Sequence, residues 1–347
     1  MTVMAEAGGI KLRKKQMYAI MLAVLAAVFY AVSTPVSKVL LKYSGPTMLA
    51  AFLYLGAGAG TLLVFVLYGR KADRSAGLTR DDAPYTVGMI VLDIAAPILL
   101  MNGVERTTAA NASLLGNFEI VATALIAYFI FHEKISGRMW QSIILIAASS
   151  ALLSFEGTSS TKFSAGSLMV LGASVCWGLE NNCTRMISSK STYEIVILKG
   201  LFSGTGSLII ALASGEKIPA WNIIAGSSAL GFVAYGLSIY TYIRAQNIIG
   251  AAKTSAFYAV APFAGALIAF ILLREEFTWR YAAGAAVMAA GAAAAIVDTL
   301  EYSHCHIHSH TVYHLRNGHL QREIITHTHE HSHIGPGIAH NHMHNAI

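Results

Sequence analysis

Predominantly apolar runs of about 20 residues follow one another from near the N-terminus to Val297, and each can cross a hydrocarbon core about 30 Å thick. Ten such runs are read: 18–41, 47–68, 85–104, 108–131, 136–155, 164–187, 193–213, 221–244, 250–273 and 278–297. Only 12% of the residues are charged and mean hydropathy is +0.56, against a charged share of about 25% in soluble domains. Length therefore counts membrane spans here. The expected fold is an all-α membrane protein of ten transmembrane helices.

The runs are not independent of one another. TTAANASLLGNFEIVATALIAYFIF, HEKISGR and MWQSIILIAASSALL (Thr107–Leu153) return in outline as IGAAKTSAFYAVAPFAGALIAFILLREEF and TWRYAAGAAVMAAGAAAA. A gap-free offset of 142 sets Ala109 on Ala251, Ser113 on Ser255, Glu133 on Glu275 and Arg138 on Arg280. Small, apolar and charged positions keep step through two whole segments, as a duplicated unit requires. Five spans per half is an odd number, so the halves are expected to insert with opposite orientation. Gly56-x-x-x-Gly60 and Gly200-x-x-x-Gly204 mark the second and seventh runs, a spacing that lets helix backbones approach closely.

Net charge is +6. With the N-terminus in the cytoplasm, thirteen loop Lys and Arg fall on that side and six outside, which satisfies the positive-inside rule. Both termini are then cytoplasmic, in an inner or plasma membrane. The apolar stretch after Lys11, Arg13, Lys14 and Lys15 is longer than the core of a cleavable signal and reads as the first span. The resulting division is 1–17 as an N-terminal segment, 18–155 and 164–297 as five-helix repeats, and 298–347 as a cytoplasmic tail. Trp140, Trp221 and Trp279 fall near run ends, where an indole sits well at the membrane interface.

Charges within spans carry the chemistry, because one at the bilayer centre costs roughly 2.5–3.5 kcal/mol. Asp93, Glu119 and Glu180 are such acids, and Lys199 is their natural cationic partner. Asn181 follows Glu180 and offers oxygen, and Trp177 precedes it by three residues. Substrate or coupling roles are expected of these six; the alternative is a buried polar set that fixes helix packing. Glu180, Cys176 and Cys183 share a helical face that would suit a transition metal, although the three cysteines of the chain otherwise read as small packing residues. Glu133 and Glu275 read as solvated helix ends, and Lys253 as a side chain snorkelling to its helix end.

The tail holds thirteen of the fourteen histidines. His304, His306, His308, His310, His327, His329, His331 and His333 alternate with other residues and are candidate ligands for Ni²⁺, Co²⁺ or Zn²⁺. They lack the fixed spacing of a structural zinc site. No apolar periodicity supports a core in 298–347, which reads as disordered.

Ten spans in two halves, the AANASLL and GAAKTSAFYAVAPF openings, the Glu133 and Glu275 endings and the Trp177–Gly178 pair resemble the drug/metabolite transporter superfamily, and within it the EamA-type permeases. The resemblance covers about 18–297. It implies a secondary transporter, often an exporter, with a central cavity between the halves. The chain departs from that pattern at several places: Pro262 is kept but Ile120 stands at the matching position, Glu119 is an added acid, His132 replaces the usual Gly, and Tyr30–Ala31 stands where the sixth span has Trp–Gly.

No HExxH, phosphate-binding loop, GxSxG or dinucleotide fingerprint is present, so no enzyme is expected. The expected activity is movement of a small organic metabolite, such as an amino acid, by alternating access, in the direction of export. The alternatives are a transition-metal cation transporter whose tail collects or senses the metal, and a non-transporting membrane receptor or scaffold. No cofactor is required; binding of Ni, Co or Zn by the tail is an additional expectation. The partners are the lipid bilayer, the small-molecule or metal substrate and a second copy in a homodimer, with no nucleic acid.

Overall fold

A computed structural model describes residues 2–69, 76–132, 135–155, 164–187, 190–249, 254, 257–316 and 319–334. Glu133 and Lys253 lie outside the described residues. The first span is α1 (Thr2–Ala31) continued by α2 (Ser33–Leu40), and the second is α3 (Pro46–Val64) with a π-helical end at Phe65–Gly69. Next come α4 (Ala83–Arg106), α5 (Ala109–Leu115), α6 (Phe118–Phe131), α7 (Gly137–Leu153) and α8 (Ala165–Met186). Then α9 (Thr192–Leu198) runs through a π segment, Lys199–Ser203, into α10 (Gly204–Ala213), and α11 (Trp221–Gly231) through another, Phe232–Leu237, into α12 (Ser238–Ile249). The last helices are α13 (Ala261–Leu273) and α14 (Trp279–Leu300).

Seven of these helical stretches are long and apolar enough to cross a membrane: Met17–Leu40, Pro46–Gly69, Arg80–Arg106, Ala109–Ile130, Thr192–Ala213, Trp221–Tyr242 and Trp279–Asp298. Two shorter apolar helices, Gly137–Leu153 and Ala261–Leu273, join them. The molecule is a multi-pass, all-α membrane protein in its apolar part. Large apolar side chains such as Leu63, Ile144, Ile209 and Ile271 are exposed on its flanks, where lipid tails are their natural solvent. Trp221 and Trp279 are also exposed, at the starts of their helices, as an interfacial position requires.

Helix contacts come in matched couples. The third run packs on the sixth (α4 on α8) as the eighth packs on the first (α12 on α1), and the fourth on the sixth (α6 on α8) as the ninth on the first (α13 on α1). Fifth and tenth (α7, α14), second and seventh (α3, α10), and fourth and ninth (α5, α13) pair with each other. Matching breaks mark the fourth and ninth runs: α5 stops before Gly116–Asn117 and α6 restarts, and α13 starts after Val260 with Pro262 in its first turn. The matching helix ends agree too. His132 and Arg274, 142 residues apart, both take the left-handed conformation at the C-caps of α6 and α13, with φ 54° and 53°.

Close approach at the centre depends on glycine. A Cβ on Gly200 would lie 2.4 Å from Gly58 Cα, and one on Gly204 2.6 Å from the Leu55 nitrogen. On another side of α3, a Cβ on Gly56 would lie 2.1 Å from the Ser228 carbonyl oxygen. The two Gly-x-x-x-Gly motifs thus do not face each other. Gly200 and Gly204 seat α10 and its π segment on α3, while Gly56 and Gly60 seat α3 on α11 and the π segment after it.

The described connections gather at two ends. At one, Glu216 accepts from the Thr47 and Met48 amides (3.1 and 2.7 Å), and Lys38 Nζ donates to the Glu105 and Thr107 carbonyls (2.9 and 2.7 Å) and to that of Val104. There too Glu275 receives the Ala109 and Ala110 amides, at 2.7 and 2.9 Å. Solvation alone is therefore not its role: Glu275 caps the start of α5 from the end of α13. At the other end, Ser191 N donates to Ala76 O (2.9 Å), Asp82 pairs with Lys190 (3.1 Å), and Ser136 bonds Asp298. The Thr79 amide and hydroxyl also donate to Asp82 Oδ2, at 2.8 and 2.7 Å.

The tail differs from the sequence reading. Residues expected to be disordered form two antiparallel strands, β1 (Glu301–Arg316) and β2 (His319–Ile334), with Glu301 opposite Ile334 and Arg316 opposite His319. The reading looked for apolar periodicity, whereas the alternation in these segments is polar and has the period of two that a strand shares.

Two substitutions test this packing. G200V should lower the thermal stability of the purified protein by about 1–3 kcal/mol or more, since overpacking at a backbone contact has no side chain to displace. H132G and R274G should each raise it by about 0.5–1 kcal/mol, because glycine adopts the left-handed cap without the Cβ penalty. Thermal unfolding in detergent reads both, and a melting temperature unchanged by G200V would contradict the close approach.

Candidate functional site

The embedded charges meet at one place. Lys199 opens the π segment of the seventh run, and its Nζ lies 3.1 Å from Asp93 Oδ2 on α4 and 2.9 Å from Glu180 Oε1 on α8. Asp93 is fully buried and Glu180 is 2% exposed. Each run is distorted where it contributes. Pro97 lies inside α4 and has no N–H for the Asp93 carbonyl four residues back. The π segment begins at Lys199 itself, and single π turns recur at functional sites.

Hydrogen bonds extend the cluster. Tyr54 OH donates to Asp93 Oδ1 (3.2 Å) and receives Trp177 Nε1–H (3.4 Å), while the Thr184 hydroxyl donates to Glu180. Glu119 lies in the first turn of α6, where the helix dipole favours a carboxylate. Its Oε1 accepts from Asn181 Nδ2 at 2.6 Å, and the same amide reaches Thr123 Oγ1 at 3.3 Å. Asp93, Glu119, Trp177, Glu180, Asn181 and Lys199, singled out one by one in the sequence, thus fall into two sets that meet on α8: Glu119 with Asn181, and the others around Lys199 and Tyr54. Gly178 lets α8 approach α6 there, since a Cβ would lie 2.8 Å from the Thr123 nitrogen.

Sequence reasoning missed the tyrosines. Tyr54 stacks near Tyr235 (centroids 5.5 Å apart), Tyr235 near Tyr30 (5.8 Å), Tyr30 near Tyr258 (5.9 Å) and Tyr258 near Tyr242 (5.2 Å). Ser33 Oγ and Tyr235 OH are 2.9 Å apart. The available signal was the repeat. The 142 offset carries Asp93 onto Tyr235, and matching Trp177–Gly178 with Tyr30–Ala31 carries Glu180 onto Ser33. The same corner is built twice, charged in one copy and hydroxylic in the other.

The expected metal face on α8 does not form. Glu180 is engaged by Lys199 and Thr184, Cys176 packs against the main core, and Cys183 packs beside Met89, Ile187 and Ile195. Among residues whose side chains are described, no group of three or more His, Cys, Asp and Glu could hold an ion.

The profile of the EamA-like transporter family matches this chain twice, over residues 17–155 and 164–297. The chain belongs to the EamA-like transporter family. An uncharacterized transporter of Methanothermobacter thermautotrophicus (strain ATCC 29096 / DSM 1053 / JCM 10044 / NBRC 100330 / Delta H) is 27% identical over 289 residues, covering 77% of this chain and 83% of its own. The uncharacterized transporter YyaM of Bacillus subtilis (strain 168) is 23% identical over 258 residues, 70% of this chain and 82% of its own. A solved crystal structure shares the fold with a TM-score of 0.59 at 16% identity, covering 80% of this chain and 95% of its own. This EamA-like chain is a membrane transporter of small solutes, and its family is one of transporters rather than enzymes. The tail lies beyond both matched segments.

In this EamA-like protein the ammonium and its two carboxylates are each other's solvent. Removing one partner of a buried ion pair typically costs about 3–5 kcal/mol, whereas neutralising the whole set is far milder. K199M alone should therefore destabilise the protein by an amount of that order. Combining it with D93N and E180Q should recover most of the loss in a thermal unfolding series, and failure of the triple variant to recover would argue against a coupled cluster.

Proposed function

We propose that the chain is a ten-span secondary transporter in which residues 18–155 and 164–297 form two five-helix halves of opposite orientation. Residues 1–17 and 298–347 lie in the cytoplasm. The halves alternate in access to a central site made of Asp93, Glu119, Trp177, Glu180, Asn181 and Lys199, in an inner or plasma membrane. The carrying observation is the single ammonium of Lys199 set between the buried carboxylates of Asp93 and Glu180. Supporting it are the double family match, the matched helix contacts and the gathering of connections at two ends.

The cargo is a small organic solute of amino-acid type, moved outward as the family resemblance implies. A solute carrying both an amine and a carboxylate can replace the internal pairs one for one: its carboxylate takes Lys199 and its ammonium takes Glu180 or Asp93. Such an exchange gives each displaced charge a new opposite partner, which a solute carrying charge of one sign would not do. Glu119, held by one amide, is the acid freest to exchange a proton or a cation. A metal cargo is the weaker reading, because no ion-holding group occurs among the described side chains of the membrane part.

Proteoliposomes loaded with a panel of amino acids, amines, organic acids and divalent metals test this directly. Flux of an amphoteric solute, lost in K199M and reduced at least about tenfold in E119Q, a loss of about 1.4 kcal/mol or more, is the expected result. Flux of metal without any organic solute would overturn the cargo reading, and wild-type rates in E119Q would leave Glu119 a packing residue. Reporter fusions at Met1 and Ile347 should both report the cytoplasm; opposite sides would exclude ten spans.

A further inference from the structure

The register of the C-terminal hairpin sorts its histidines. Side chains alternate between the two faces of a strand, and residues directly opposite in an antiparallel pair share a face. His304 stands opposite His331, His306 opposite His329 and His308 opposite His327. These are three consecutive same-face steps along the ladder, so the six positions share one face in two columns; His310, His314, His319 and His333 hold further positions on that face, each opposite a residue other than histidine. The spacing along each column is about 6.8 Å. The other face is of different composition: the positions between them are Cys305 opposite Glu330 and Ile307 opposite Thr328. Two residues, Asn317 and Gly318, separate the strands in sequence, the pair that a two-residue hairpin favours. α14 ends at Leu300 and β1 begins at Glu301, so the ladder follows directly from the last apolar helix.

We infer that this face is a binding site for a borderline divalent transition ion of the Ni²⁺, Co²⁺ or Zn²⁺ class. Imidazole nitrogen suits these ions, and tetrahedral zinc takes four ligands. Two adjacent cross-strand pairs supply four histidines, so three pairs hold one ion well and share a ligand set with a second position. The site depends on register: slipping either strand by one residue moves its column to the opposite face. The flexible-tail reading predicts something different, affinity set by the number of histidines and not by their pairing. This inference is independent of what the membrane part carries.

The test uses the full-length protein in detergent, without an added histidine tag, titrated with Ni²⁺ by calorimetry. The triple variant H304Q/H306Q/H308Q breaks all three pairs. The control H310Q/H314Q/H319Q removes as many histidines from the same face, at positions opposite Ile325, Gln321 and Arg316 and so without a histidine partner across the ladder. The first should weaken Ni²⁺ binding by at least about tenfold while the second stays within about threefold, a difference of about 0.7 kcal/mol or more. Equal losses in the two variants, or no Ni²⁺ binding by the unmodified chain, would overturn the site. The register is checked separately by E330C, which should form a disulfide with Cys305 on mild oxidation, as the peptide map would show. T328C should form none, and a Cys305 disulfide formed equally by T328C would overturn the pairing on which the site rests.

Discussion

An ammonium and a carboxylate removed from water lose several kcal/mol of hydration apiece, and contact between them is what makes that burial tolerable. In this protein the contact joins three runs at Lys199, Asp93 and Glu180, and the surrounding helices are shaped to permit it. α4 carries Pro97 one turn beyond Asp93, the seventh run widens to a π turn at Lys199, and the fourth run breaks at Gly116–Asn117 so that Glu119 sits at a helix start. Irregular backbone at membrane depth survives only where protein or a polar site covers it. The irregularities here coincide with the polar site, and the regular helices lie elsewhere.

The close approach of the helices serves the same end. Gly58, Gly200 and Gly204 bring α3 against the run that carries Lys199, and Gly178 brings α8 against α6. Polar side chains are short relative to helix diameters, and a lysine can bridge two carboxylates from separate helices only when those helices nearly touch. Lys38 and Glu275 hold the corner at 104–110 from two different helices, one through carbonyls and the other through amides. The connection between α4 and α5 is thereby tied to the first and ninth runs.

The membrane class and the repeat-like character of the chain were legible because a bilayer imposes one length on every span and a repeat imposes one offset. Asp93, Glu119, Glu180 and Lys199 were legible because charge in an apolar run is costly; that they meet was not, since contact between distant runs leaves no local pattern. The break at Val32 was missed because apolar composition continues through it, and the one at Gly116–Asn117 because the run is apolar on both sides of that pair. The tyrosines were missed for a related reason: in an apolar run a tyrosine passes as an ordinary hydrophobe, and only its hydroxyl contact with Asp93 or Ser33 reveals otherwise. In the tail, strict alternation was visible in the sequence but was weighed against a packed core, although a paired ladder needs none.

Asp93 from one half and Glu180 from the other make the charged corner, and their counterparts Tyr235 and Ser33, again one from each half, make a second corner that bonds through neutral oxygens. Two identical subunits would have been obliged to carry both corners charged or both neutral. A fused chain is free of that obligation: one corner can keep the demanding chemistry while the other drifts into scaffolding. Which corner holds the charge then becomes a heritable choice, so a relative bearing the acids at the sister positions would be this protein's mirror in lineage, performing the same task with its halves exchanged.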